Sequence, residues 1–284
     1  MTAVAERAVS FPCAEAELVG ILHLPAAAAR RGVLIVVGGP QYRAGSHRQF
    51  LLIARRLAEQ GYPVLRFDHR GIGDSDGPYL GFEALDADIA AAIDAFVAHC
   101  PQVEEVVLWG LCDAASAILF YAQRDSRVAG VALLNPWVRT PESEADTYLR
   151  HYYLRRLRDR GFWQSAVRGK VNPVAAARSL GQLLTQRFAI AGGPRSAGQS
   201  ARPLPERMAD GLDRFAGAVL LVLCGEDLTA REFDDAAQRS PTWQRLLAAE
   251  RVRRHDLAPA DHTFSRRSWR DSVVDWTLRW LQSW

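Results

Sequence analysis

Short apolar runs rich in β-branched residues alternate with longer segments of helical periodicity along most of this chain, and few folds accommodate that alternation. It is the pattern of a mostly parallel sheet covered by helices on both faces. Two early runs, 8–12 and 17–24, read as an antiparallel start. Strands follow at 32–39, 62–67, 106–109 and 128–134, and again at 218–224 and 252–257. Helices are predicted at 47–60, with Phe50, Ile53, Ala54 and Leu57 on one face and Gly61 closing it, and at 82–99, stopped before Pro101. Further helices are expected at 114–123, at 231–249 with a break at Pro241, and at 268–281. Between Arg139 and Arg214 the alternation stops, and glycine, proline and arginine become frequent. The expected organisation is one α/β core, residues 1–138 and 215–284, with a helical cap inserted at 139–214.

Composition is consistent with that plan and excludes several others. A chain of 284 residues, 49% hydrophobic and 24% charged, can bury a sizeable core without disulfides or metals. Cys13, Cys100, Cys112 and Cys224 lie far apart, with no C-x-x-C pair, so neither a zinc site nor a thioredoxin-like motif is expected, and no cofactor is implied. Scattered cysteines of this kind read as reduced thiols in a cytoplasmic protein. The start lacks the basic stretch and long apolar run of a signal peptide. The longest apolar runs are strand-length and cannot span a bilayer, which leaves peripheral membrane contact open. A net charge of +3 gives no argument for nucleic acid. The charge is unevenly spread: residues 139–214 hold 14 Lys and Arg against seven Asp and Glu, a balance of +7 that leaves −4 for the rest. Such a cap could meet an anionic substrate, an acidic membrane surface or a partner, or be a solvated lid.

The chemistry concentrates at Gly110-Leu111-Cys112-Asp113-Ala114, where a strand runs straight into a helix. A sharp strand-to-helix turn pushes one side chain out at the strand's C-terminal edge and needs small residues two positions either side, here Gly110 and Ala114. Cys112 is therefore the candidate nucleophile, and the helix N-terminus behind it favours a thiolate. Its partners should follow in the order acid, then base. Leu223-Cys224-Gly225-Glu226-Asp227 ends a strand and offers Asp227 as the acid, with Glu226 and Asp261 as weaker candidates. His262, between the last strand and the last helix, is the candidate base. An oxyanion hole needs two backbone N–H groups. Asp113 N–H, just after the nucleophile, supplies one. The loop Gly38-Gly39-Pro40-Gln41-Tyr42-Arg43 supplies the other, and because Pro40 has no N–H, Gln41 is the first choice and Gly39 the second. A fourth segment, Asp68-His69-Arg70-Gly71-Ile72-Gly73-Asp74-Ser75, reads as a structural loop braced by Arg70. It lacks the Walker lysine and the Gly-x-Gly-x-x-Gly spacing of phosphate sites.

These four ordered motifs resemble the α/β-hydrolase superfamily. More narrowly, Gly-Gly-Pro-Gln-Tyr-Arg at 38–43, Gly-Leu-Cys-Asp-Ala at 110–114, Leu-Asn-Pro-Trp at 134–137 and Asp-Leu-Thr-Ala at 227–230 resemble the exosortase A system-associated hydrolase 1 family. That resemblance implies hydrolysis or acyl transfer near envelope polysaccharide production. Departures from the superfamily are Cys112 for serine, Ala114 for the last glycine and Gly38 for histidine. The expected activity is cleavage of a small-molecule ester or thioester through an acyl-cysteine intermediate. Acyl transfer by the same residues is the alternative, and a non-catalytic interaction module is the third reading.

Overall fold

The computed structural model describes residues 4–39, 41–139 and 202–284. The apolar runs become eight strands of one sheet: β1 (Val4–Cys13), β2 (Ala16–Pro25), β3 (Arg31–Val36), β4 (Val64–Asp68), β5 (Glu105–Leu111), β6 (Val128–Leu134), β7 (Ala218–Cys224) and β8 (Val252–Leu257). Their spatial order is β1-β2-β4-β3-β5-β6-β7-β8. The β1–β2 hairpin is antiparallel, and so is β2 with β4; every pairing from β4 onward is parallel. Parallel neighbours need crossovers, and the helical segments of the sequence supply them. Among the described residues these are α1 (Gln49–Glu59), α2 (Asp86–His99), α3 (Asp113–Tyr121), α4 (Leu204–Arg214), α5 (Leu228–Arg239), α6 (Pro241–Leu247) and α7 (Arg267–Leu281).

Both faces of the central strands are buried, which is why their sequences do not alternate apolar with polar. Val33, Ile35, Val107, Trp109, Leu134 and Val222 share one face with the apolar sides of α1 and α7, including Phe50, Ile53, Leu57, Val274 and Leu278. The residues between them, such as Leu34, Leu108 and Val131, are equally buried on the other face. There Gly32 lies against Phe96 of α2 and Gly110 against Ile118 of α3. Each fully buried aliphatic side chain contributes about 1.5–3 kcal/mol, so this two-sided core fixes the sheet that carries the site at its C-terminal edge.

Several boundaries differ from the sequence reading, each for a local reason. β3 ends at Val36, which leaves residues 37–39 as an approach to the site. The helix expected at 82–99 divides into a 3-10 turn at Phe82–Ala84 and α2. α5 starts at Leu228, earlier than expected, because the Asp227 side chain accepts from Thr229 and Ala230 N–H and caps it. The break at Pro241 is real: Ser240 caps α6, and Pro241, lacking an N–H, can only begin a helix.

Residues Met1–Val138 and Pro205–Trp284 form one compact unit, and Arg139–Leu204 a second. From Pro205 on, α4 belongs to the first unit, with Met208, Ala209 and Leu212 buried. Of the cap expected at 139–214, residues 140–201 lie outside the described residues.

Candidate active site

β5 ends at Leu111 and α3 begins at Asp113, so the whole reversal of direction falls on Cys112. Its backbone has φ 65 and ψ −127, in the left-handed half of conformational space that side chains avoid. Such a conformation costs on the order of 1–3 kcal/mol and persists only when the surroundings enforce it. The enforcement is visible. Cys112 N–H donates to Leu134 O at 2.9 Å, Cys112 O accepts from Ala115 N–H at 3.0 Å, and Trp137 N–H donates to the same oxygen at 3.2 Å. A Cβ on Gly110 would stand 2.7 Å from Ile118 Cδ1 and 3.0 Å from the α3 backbone, which accounts for the glycine two residues before the turn. Cys112 is partly exposed, whereas Cys13, Cys100 and Cys224 are buried. Burial pushes the Cys224 thiol up to about 12, leaving it inert at neutral pH.

The loops after β7 and β8 bring Asp227 and His262 to the same edge. His262 Nδ1–H donates to Asp227 Oδ2 at 2.7 Å. The Cys112 side chain is the second group that acts electrostatically on the ring. Burial opposes a charge on His262, but the bond to Asp227 and the influence of Cys112 outweigh it, and the pKa is pushed up to about 10. Asp227 is 6% exposed and serves twice, as partner of His262 and as cap of α5, with Thr229 N–H at 3.0 Å. The two weaker acid candidates are engaged elsewhere. Glu226 faces Arg231 at 3.7 Å, and Asp261 accepts from Ser265 N–H at 3.0 Å.

The loop after β3 behaves differently from its sequence reading at one point. Gly39 N–H donates to Asp113 Oδ2 at 2.8 Å, so the second-choice oxyanion donor is already engaged. Gln41 is partly buried on this loop, and Pro40 lies outside the described residues. Gly38 leaves the room that Asp113 fills, since a Cβ there would overlap Asp113 Oδ1 and stand 2.8 Å from Ala114 N. Burial pushes the Asp113 carboxyl up, against the pull of hydrogen bonds from Gly39, Ala114 and its own N–H. The sequence reading used only the backbone of Asp113 and missed its side chain. The available signal was two glycines opposite a carboxylate directly after the nucleophile.

Below this loop, Arg70 braces its segment as expected, through Asp88 of α2 at 2.7–3.1 Å. Asp68 accepts from Arg43 N–H at 2.6 Å, from the Arg43 guanidinium and from Asp74 N–H at 3.0 Å, which ties the loop after β3 to β4. Among the described residues no group of three His, Cys, Asp or Glu is arranged to hold a metal ion, and no helix is long and apolar enough to cross a membrane.

A sheet of this order, with a left-handed residue joining its fifth strand to the next helix, has the α/β-hydrolase fold. Solved structures share it. An esterase of Pyrococcus furiosus, Pf2001, superposes with a TM-score of 0.66 at 12% identity, covering 99% of this chain and 92% of that one. The α/β hydrolase GrgF from Penicillium sp. sh18 gives 0.62 at 18%, covering 98% of each chain. Proline iminopeptidase of Mycobacterium smegmatis gives 0.56 at 17%, covering 96% and 98%. No curated protein sequence matches. The chain belongs to the family described as serine aminopeptidase, S33, whose pattern matches residues 28–183, more than half its length. That match includes β3 to β6 and the elbow but not the loops of Asp227 and His262, and where the family's description says serine this chain has Cys112.

Proposed function

We propose that the protein cleaves an ester or thioester through a covalent acyl-Cys112 intermediate. His262 acts as acid and base, Asp227 orients its ring, and the Asp113 and Gln41 N–H groups receive the oxyanion. One observation carries the reading: a partly exposed cysteine held in a strained strand-to-helix turn, electrostatically coupled to a histidine that lies 2.7 Å from a buried aspartate.

The chemistry follows from that line of side chains. The Cys112 sulfur attacks the acyl carbon, and the carbonyl electron pair moves onto oxygen, where N–H donors stabilise it. Collapse expels the alcohol or thiol, which takes the proton of His262. Water then attacks the thioester, giving its proton to His262, and the second collapse releases the carboxylic acid and the Cys112 thiolate. With its pKa at about 10, His262 carries the needed proton across the neutral range. The basic excess of residues 139–214 supports an anionic group on the substrate. The motifs at 38–43, 110–114, 134–137 and 227–230 support a place near envelope polysaccharide chemistry.

A panel of acyl esters and acyl-thioesters, followed by intact-protein mass spectrometry, tests the reading. The parent should gain one acyl mass and release free acid, and Cys112→Ala should lose turnover by roughly 10⁴-fold or more. No adduct on the parent with any acyl donor overturns it. Acylated sugar in place of free acid, when sugar hydroxyls are supplied, turns the same chemistry into acyl transfer. Ester turnover should fall as pH rises through about 10, as His262 loses its proton. Thioester turnover should fall less, because a thiolate leaves unprotonated.

A further inference from the structure

The turn that follows β6 touches the nucleophile, the acid's strand and the base's loop at once. Leu134 O and Trp137 N–H hold the two backbone groups of Cys112, at 2.9 and 3.2 Å, and Ser116 Oγ–H of α3 donates to Trp137 O at 2.6 Å. Between them lies Asn135, with no exposed surface. Its backbone N–H donates to Val222 O of β7 at 3.0 Å. Its side-chain Oδ1 accepts from Cys224 N–H at 2.9 Å, and its Nδ2 donates to Cys224 Sγ and to His262 O, both at 3.3 Å.

We infer that Asn135 is the positioning residue of this site, setting His262 against Cys112 by gripping the backbone of the histidine loop and the end of β7 with one amide. The inference rests on the catalytic reading above.

Three physical points support it. First, φ at Asn135 is 44, a left-handed value that asparagine tolerates and aliphatic side chains resist, so an apolar residue of equal size would be strained there. Second, a fully buried amide is costly unless bonded, and this one spends its acceptor on β7 and a donor on His262 O. Asp227 lies three residues beyond Cys224, so one side chain spaces the acid's strand from the base's loop. Third, the histidine needs two anchors. Asp227 holds the ring at Nδ1 and sets its tilt, but a ring held at one atom can still translate with its loop. That loop carries a left-handed residue of its own, Phe264 with φ 49, and so does not rest in a relaxed conformation. The Asn135 bond fixes the backbone of His262 and leaves the ring only rotation, which Asp227 removes. A misplacement of about 1 Å at such a group costs on the order of 10²-fold in rate.

The test uses Asn135→Gly, which keeps the left-handed backbone while deleting the amide. Two measurements need no substrate: titration of the His262 ring by NMR, and the rate at which iodoacetamide alkylates Cys112 at pH 7, with Cys112→Ala as the blank. The parent ring should titrate near 10. In Asn135→Gly the midpoint should fall toward that of free imidazole, and alkylation should slow by roughly tenfold or more. Arg31→Ala, on the opposite edge of the sheet, is the control for lost stability alone and should leave both readings at parental values. If Asn135→Gly does not fold, Asn135→Ser, which can still meet Cys224 N–H but cannot reach both partners, carries the same comparison. Parental titration and alkylation in the folded variant overturn the inference. Failure of the parent to form an acyl adduct, with these two readings shifted as expected, instead overturns the catalytic reading alone.

Discussion

Asp113 has two separate duties in one residue. Its backbone N–H begins α3 beside Cys112, and its carboxylate holds Gly39 N–H at 2.8 Å. Burial raises its pKa, so the folded protein binds that proton more tightly than the unfolded chain does. The sign follows. Ionised Asp113 costs stability above its folded pKa, and the cost fades as pH falls to the ordinary carboxylate range. Asp113→Asn keeps an oxygen for Gly39 and removes the charge. Its melting temperature should equal or exceed the parent's at pH 8, with the advantage shrinking toward pH of about 4; a variant less stable at both pH values contradicts this account. At this scale the positions of Cys112, Asp227 and His262 after strand ends were legible because each sits in a short motif. The Asp113 carboxylate was not, because its partner lies 74 residues away.

Among elements, the decisive meeting is that of the loop after β3 with the start of α3. Both lie at the C-terminal ends of paired strands, since β3 and β5 run parallel with Val36 opposite Gly110. Gly38 makes the approach possible. In Gly38→Ala the new methyl would crowd Asp113, Ala114 N and Leu111 O, the last two being backbone atoms that cannot swing away. The loop must then retreat from the elbow. Overpacking of this kind costs about 1–3 kcal/mol. Chemical denaturation should show that loss, and acyl-adduct formation should slow more than the stability change alone explains. Elements were readable from the sequence where periodicity is strong, as in α1 and β7. Their ends were less so, because caps such as Asp227 on α5 act through side chains that a hydrophobic pattern does not register.

Across the described sheet, the candidate site and an anchoring network lie at opposite edges. Cys112, Asp227 and His262 follow the C-terminal ends of β5, β7 and β8. At the other edge Arg31, opening β3, bonds Glu105 at 2.6 Å, reaches Leu281 O and Trp284 O at 2.8 and 2.9 Å, and stacks 3.5 Å from the Trp284 ring. Arg31→Ala should therefore lower unfolding stability by about 1–3 kcal/mol and speed hydrogen exchange in the last turn of α7. The rate of acyl-adduct formation should stay at the parent's value, and a large loss of rate would show the two edges to be coupled.

The sequence by itself determined the layered α/β plan, the strand-to-helix turn at Cys112 and the placing of Asp227 and His262 in loops after later strands. All of these are written in local patterns of burial, glycine placement and strand ends. Only the tertiary structure decided that Asp113 takes Gly39 N–H, which of three carboxylates meets His262, and that the Asn135 amide joins the end of β7 to the loop of His262. Those choices depend on distances between segments remote in sequence, and a chain read one window at a time carries no measure of them.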